Sequence, residues 1–137
     1  MKICICCSLS FTNKVMEIAK NLEEMGHEVL LPDGVRLRLI ESEDFDPVAA
    51  KREVDTIHEH PRKIQESDAV LMCNYTKNGI KNYIGANSFC ELYVARYFNK
   101  PVFALNALPE QKYIHDELMA FDVIVIDGDL NKIGERL

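Results

Sequence analysis

The chain has 137 residues, 47% of them apolar, and its 16 Lys and Arg against 22 Asp and Glu leave a net charge of -6 and a pI of about 5.2. That length fits one domain over residues 1–137, and that apolar share supplies a core and excludes a chain disordered throughout. The acidic balance excludes a nucleic-acid polymer as main partner, which needs clustered Lys and Arg, but leaves open a single nucleotide held by backbone amides and a helix N-terminus.

Lys2 to Cys7 (KICICC) reads as a first strand, apolar throughout and so central in a sheet. Ser8 to Asn13 form the turn into a helix from about Lys14 to Met25, with Thr12 or Asn13 as N-cap. Val15, Ile18, Ala19 and Leu22 mark its apolar face, and Gly26 stops it. His27 to Leu31 is strand two, followed by the turn signal Pro32-Asp33-Gly34. Val35 to Pro47 mixes Arg36, Leu37, Arg38 and Leu39 with an acidic run, and reads as a solvated insertion, a lid or an arm toward another subunit. A helix from near Pro47 to Glu66 follows, with Pro61 expected to kink or interrupt it. Ala69 to Cys73 is strand three. A loop with Gly79 and Gly85 leads to a helix from about Ser88, which Asn99-Lys100-Pro101 end before strand four, Val102 to Leu105. A helix from about Gln111 to Ala120 precedes strand five, Val123 to Ile126, and Leu130 to Leu137 closes with a short helix.

Five strands alternating with helices predict an α/β fold: a three-layer α/β/α sandwich on a five-stranded parallel sheet with right-handed crossovers. The expected order is 2-1-3-4-5, the flavodoxin/Rossmann-like arrangement, with its switch point between strands one and three. Ligands in such sheets bind outside the carboxyl ends of the strands. The loops meeting there carry Ser8, Ser10, Asn74, Tyr83, Gly85, Asn87 and Ser88, and Glu91 lies in the first turn of the helix after strand three. Asn74 is placed to hydrogen-bond a sugar or base edge, and Tyr83 to stack a base. No G-x-S-x-G, G-x-x-x-x-G-K-[ST] or G-x-G-x-x-G is present, which sets aside the obvious hydrolase, kinase and dehydrogenase readings.

The five cysteines are Cys4, Cys6, Cys7, Cys73 and Cys90. Their odd number and the lack of a leader pattern fit a reducing cytoplasm. No metal is expected. In C-x-C-C adjacent strand residues point to opposite faces, and no second cluster with ligand spacing follows. No apolar run approaches the ~20 residues of a membrane span, so no membrane partner is expected. Ser88-Phe89-Cys90-Glu91 matches S-x-x-E, the capping box, in which the carboxylate bonds the Ser88 amide. A carboxylate at a helix N-terminus also suits a nucleophile, because the dipole favours its ionised form. Spacing leaves both roles open.

K-I-C-I-C-C-S, G-H-E-V-L-L-P, S-D-A-V-L-M-C-N-Y and Y-I-G-A-N-S-F-C-E-L-Y-V-A-R-Y-F-N-K-P-V occur in that order from Lys2 to about Leu105. Together they resemble the nucleoside 2-deoxyribosyltransferase-like superfamily, which includes nucleoside deoxyribosyltransferases and deoxynucleoside 5'-monophosphate N-glycosidases. The resemblance implies that Glu91 is a nucleophile at the anomeric carbon of a nucleoside or nucleotide. It implies that Ser8 contacts sugar or phosphate, that no cofactor is needed, and that the protein is a homodimer or larger. The chain departs from the family pattern at several points. Cys7 replaces a glycine, Cys4 a strand-one tyrosine and Ser10 a loop arginine, while a family aspartate falls near His58 to His60. Glu59 or His60 is the candidate substitute, against the plainer reading of exposed helix residues. The loss of the tyrosine and aspartate keeps a second function in view, a non-catalytic nucleotide-binding or sensor module.

Overall fold

The computed structural model describes residues 1–35, 48 and 56–135. Five strands, β1 (Lys2–Cys7), β2 (Glu28–Leu30), β3 (Ala69–Cys73), β4 (Val102–Ala104) and β5 (Ile124–Val125), form one sheet in the order β2-β1-β3-β4-β5. Every pairing is parallel, as the sequence pattern predicts. The insertion expected at Val35 to Pro47 lies outside the described residues, apart from the buried Val35. So does the first part of the helix expected from Pro47.

Side-chain alternation splits the core in two. Ile3, Ile5 and Cys7 point to one face and pack with Val15, Ala19 and Leu22 of α1 (Thr12–Glu24) and with Ile133 of the short C-terminal helix. Cys4 and Cys6 point to the other, with Ile64 of α2 (Thr56–Glu66), Leu92 and Ala95 of α3 (Ala86–Tyr97) and Leu118 of α4 (His115–Ala120). The C-terminal helix, α5, spans Lys132–Glu135. Helices thus cover both faces, which is what a sheet of apolar parallel strands requires. Each fully buried aliphatic side chain stabilises the fold by about 1.5–3 kcal/mol relative to exposure.

Several boundaries differ from expectation. A single 3-10 turn, Leu9–Phe11, precedes α1, whose N-cap Phe11 makes no side-chain cap bond. Thr12, expected as the cap, instead bonds the Leu9 carbonyl at 2.7 Å. Gly26 ends α1 at φ +94, a conformation other residues reach only with strain. α2 runs through Pro61 to Glu66 without interruption. Proline removes one N–H, and here the loss is tolerated inside a helix packed on the sheet and on α3. α3 begins at Ala86, two residues before the expected start, with Gly85 as N-cap and no side-chain cap bond.

Candidate functional site

The loop between β3 and α3 carries much of the site, and its shape follows from buried amides. Asn74 ends β3 fully buried. Its Oδ1 accepts from the Asn106 amide at 3.0 Å, and its Nδ2 donates to the Asn106 and Ala107 carbonyls at 3.1 Å each. Gln111 completes the brace, accepting from the Ile84 amide at 2.9 Å and donating to the Ile84 carbonyl at 3.0 Å. Asn74 is therefore not free to meet a sugar or a base, as the sequence suggested. Its polar atoms tie the loops after β3 and β4 together.

Braced this way, the loop walls a cavity of about 310 Å³ at the carboxyl ends of β1 and β3. That is the lower end of ligand-sized pockets. Ser8 and Ser10 come from the β1 turn, Tyr83 and Gly85 from the loop, Asn87, Ser88 and Glu91 from α3, and Glu59 and His60 from α2. Of the candidates named from sequence, all but Asn74 line it. Ser8 Oγ lies 2.9 Å from Ser10 Oγ and accepts from Lys77 Nζ at 3.1 Å. Lys77 also sits over the Tyr83 ring, 5.6 Å from its centroid. This corner offers one cation and two hydroxyls. At Gly85 a Cβ would come within 3.3 Å of the Tyr83 ring, so glycine lets the tyrosine lie flat against the backbone.

Because α3 starts at Ala86, Ser88 is the third residue of the helix and Glu91 lies in its second turn, out of capping position. The Glu91 carboxylate is turned into the cavity rim instead. Its Oε1 accepts from Asn87 Nδ2 at 2.7 Å, an i,i+4 pair along the helix. Its Oε2 is 3.1 Å from His60 Nε2, yet has no partner in hydrogen-bond geometry. His60 is buried, four residues before Ile64 and on the same helix face, so the reading of an exposed residue fails for it. Glu59 lies at the cavity's edge, partly exposed, and pairs with Arg62 at 2.6 Å.

Sequence reasoning missed the role of Cys4 and Cys6. Their Sγ atoms lie 3.7 Å and 3.5 Å from the same His60 Nε2. The available signal was the i,i+2 spacing on β1, which places both thiols on the α2–α3 face. A hydrogen bond from Cys6 pulls the Cys4 thiol below its ordinary value against the opposing effect of burial, and His60 adds to this. Burial pushes Cys6 up. Burial also disfavours charge on His60, but its contacts with Cys4 and with the neighbouring Glu91 carboxylate outweigh it and raise the imidazole well above its usual range. This favours the protonated form of His60, beside the Glu91 carboxylate. Among the described residues its Nδ1 finds no partner. Chemically the site offers the buried Glu91 carboxylate, beside an amide and an imidazole, in a cavity that Asp33 and Glu59 also line and that has a polar corner with Lys77.

No family model matches the chain, and no curated protein matches it in sequence. Solved structures do match in fold. A 2-deoxyribosyltransferase from Bacillus psychrosaccharolyticus superposes with a TM-score of 0.58 at 17% identity, over 97% of this chain and 90% of that one. A CMP N-glycosidase from Clostridium botulinum gives 0.53 at 15% identity, over 93% and 90%. A flavoenzyme from Paracoccus denitrificans, an NAD(P)H:acceptor oxidoreductase, gives 0.50 at 16% identity, over 92% and 75%. The three activities differ, so the shared fold does not by itself select a chemistry. Among the described residues no helix is long and apolar enough to cross a membrane.

Proposed function

We propose that the protein cleaves or transfers at the N-glycosidic bond of a nucleoside or nucleoside 5'-monophosphate, with Glu91 as nucleophile. The observation that carries this reading is the orientation of Glu91. Its carboxylate has left the capping position that the S-x-x-E pattern offers and lines the cavity, with Asn87 on one oxygen and His60 near the other. The names of the first two fold neighbours, a 2-deoxyribosyltransferase and a CMP N-glycosidase, support the same reaction class.

In this reading Glu91 attacks the anomeric carbon of a sugar held in the cavity. A C–O bond forms, the C–N bond breaks, and the base leaves with the electron pair and takes up a proton. The glycosyl ester on Glu91 is then opened by water, which releases the sugar, or by a second base, which makes a new nucleoside. This is the logic of retaining glycosidases. Asn87 fixes the attacking oxygen's carboxylate. His60 holds the charge in place between the two steps, and Lys77 with Ser8 and Ser10 suits a 5'-phosphate or hydroxyl. Tyr83 flanks the substrate, and Gly85 and Ser88 bring α3 close to it. A homodimer or larger assembly in the cytoplasm completes the proposal.

One observation favours a second reading. The imidazolium beside Glu91 lowers the reactivity of the carboxylate it stabilises, which would suit a non-catalytic nucleotide-binding module. Release of free base from a panel of ribo- and deoxyribonucleosides and their 5'-monophosphates separates the two. Release that vanishes in Glu91→Ala supports the enzyme. No release, with thermal stabilisation by a nucleotide, supports the binding module.

A further inference from the structure

Cys6, His60 and Glu91 each bring one metal-ligating atom to a common point, all within 4.8 Å of one another, and all three side chains are buried. Cys4 Sγ lies 3.7 Å from the shared nitrogen, His60 Nε2, with Cys6 Sγ at 3.5 Å and Glu91 Oε2 at 3.1 Å. Zinc holds sulfur at ~2.3 Å and nitrogen or oxygen at ~2.0–2.2 Å in a tetrahedron, which sets neighbouring ligand atoms roughly 3.3–3.8 Å apart. The two sulfur separations from His60 Nε2 lie in that range and the Glu91 separation lies 0.2 Å below it.

Hydrogen bonding does not account for the cluster as well. Three polar groups, two thiols and a carboxylate, converge on one imidazole nitrogen, which can make only one strong hydrogen bond. Among the described residues Glu91 Oε2 is left without a hydrogen bond, although the side chain is only 9% exposed. C-x-C-C has no second ligand cluster along the chain, but the fold supplies one from α2 and α3.

We propose that Cys6, His60 and Glu91, with Cys4 Sγ beside His60, form a binding site for a thiophilic divalent cation of the zinc type, and that occupancy blocks the chemistry of Glu91. Two thiols, an imidazole and a carboxylate favour zinc over magnesium or calcium, which take oxygen ligands. On binding, each ligand that still carries a proton releases it to solvent as its bond to the cation forms, and nothing is oxidised. Coordination of Glu91 Oε2 removes that lone pair from attack on a sugar. The blocking clause rests on Glu91 being the nucleophile, whereas the binding site does not.

The test is a titration of the metal-free full-length chain with cobalt(II) as a coloured stand-in for zinc. One equivalent is expected to give thiolate-to-cobalt charge transfer and tetrahedral ligand-field bands, which zinc then abolishes. Cys6→Ser and His60→Gln, each checked for folding by circular dichroism, are expected to weaken binding on the order of tenfold or more. Cys90→Ser, at the exposed thiol, is expected to leave it unchanged. Absence of the charge-transfer band, or its persistence in both Cys6→Ser and His60→Gln, would overturn the site. In the base-release assay one equivalent of zinc is expected to suppress turnover and a chelator to restore it. Turnover indifferent to zinc while the cobalt band forms would overturn the blocking clause. A chain that releases no base from any substrate would defeat the Glu91 reading, and the cobalt spectrum would still decide the site.

Discussion

The two faces of β1 are built from the same six residues and do opposite work. Ile3, Ile5 and Cys7 meet α1 across an apolar seam, with no buried charge on that face of the strand among the described residues. Cys4 and Cys6, one residue out of phase, meet a protonated histidine and a carboxylate. The first face holds the sheet to its helix. The second places groups that are expensive to bury, and a buried ion pair is weak evidence for stability. A single strand can carry both tasks because its side chains alternate, so scaffold and chemistry share a backbone without sharing contacts.

The sharpest way to break this comparison is at Glu91. Glu91→Gln preserves size and keeps a partner for Asn87, so the contrast predicts base release lost to background with the fold retained by circular dichroism. On the apolar face, Ile5→Ala is expected to cost about 2–5 kcal/mol in urea unfolding, through lost burial and the cavity left behind. The paired change His60→Leu with Glu91→Met is expected to stay within about 1 kcal/mol of wild type, or to gain stability, because it removes two buried charges together. A loss as large as that of Ile5→Ala would make the polar face structural after all. Asn74→Ala should cost about 1–3 kcal/mol, since the Asn106 amide loses its acceptor.

The smallest effect is at high pH. Burial raises the Cys73 thiol well above 9.0, and burial raises Tyr75 as well. Both groups hold their protons more tightly when folded. Their contribution is therefore fully present below the unfolded thiol value and is lost as pH rises past about 9. Thermal melts from pH 7 to pH 10 should show the midpoint begin to fall at the upper end, and Cys73→Ala should flatten part of that fall.

The sheet was legible in the sequence because its strands are apolar runs bounded by turn residues, and parallel order follows from their alternation with helices. The site was legible where it depends on topology: Ser8, Ser10, Tyr83, Gly85, Asn87, Ser88 and Glu91 all follow from which loops share an edge. It was not legible where tertiary partners decide. S-x-x-E imitates a helix start, but Gly85 caps the helix three residues before Ser88. Asn74 at a strand end looks like a ligand group until the Asn106 loop claims it. In H-E-H, helical phase selects His60 for burial rather than Glu59, because His60 lies four residues before the buried Ile64 and shares its face.

The central claim is that Glu91 bonds covalently to a sugar. Its most direct test is intact-mass and peptide mass spectrometry on acid-quenched mixtures of the protein with whichever nucleoside or nucleotide releases base. The account predicts a glycosyl adduct on the peptide bearing Glu91, absent from Glu91→Gln. Undiminished base release by Glu91→Gln, with no adduct at that residue in the wild type, would contradict it.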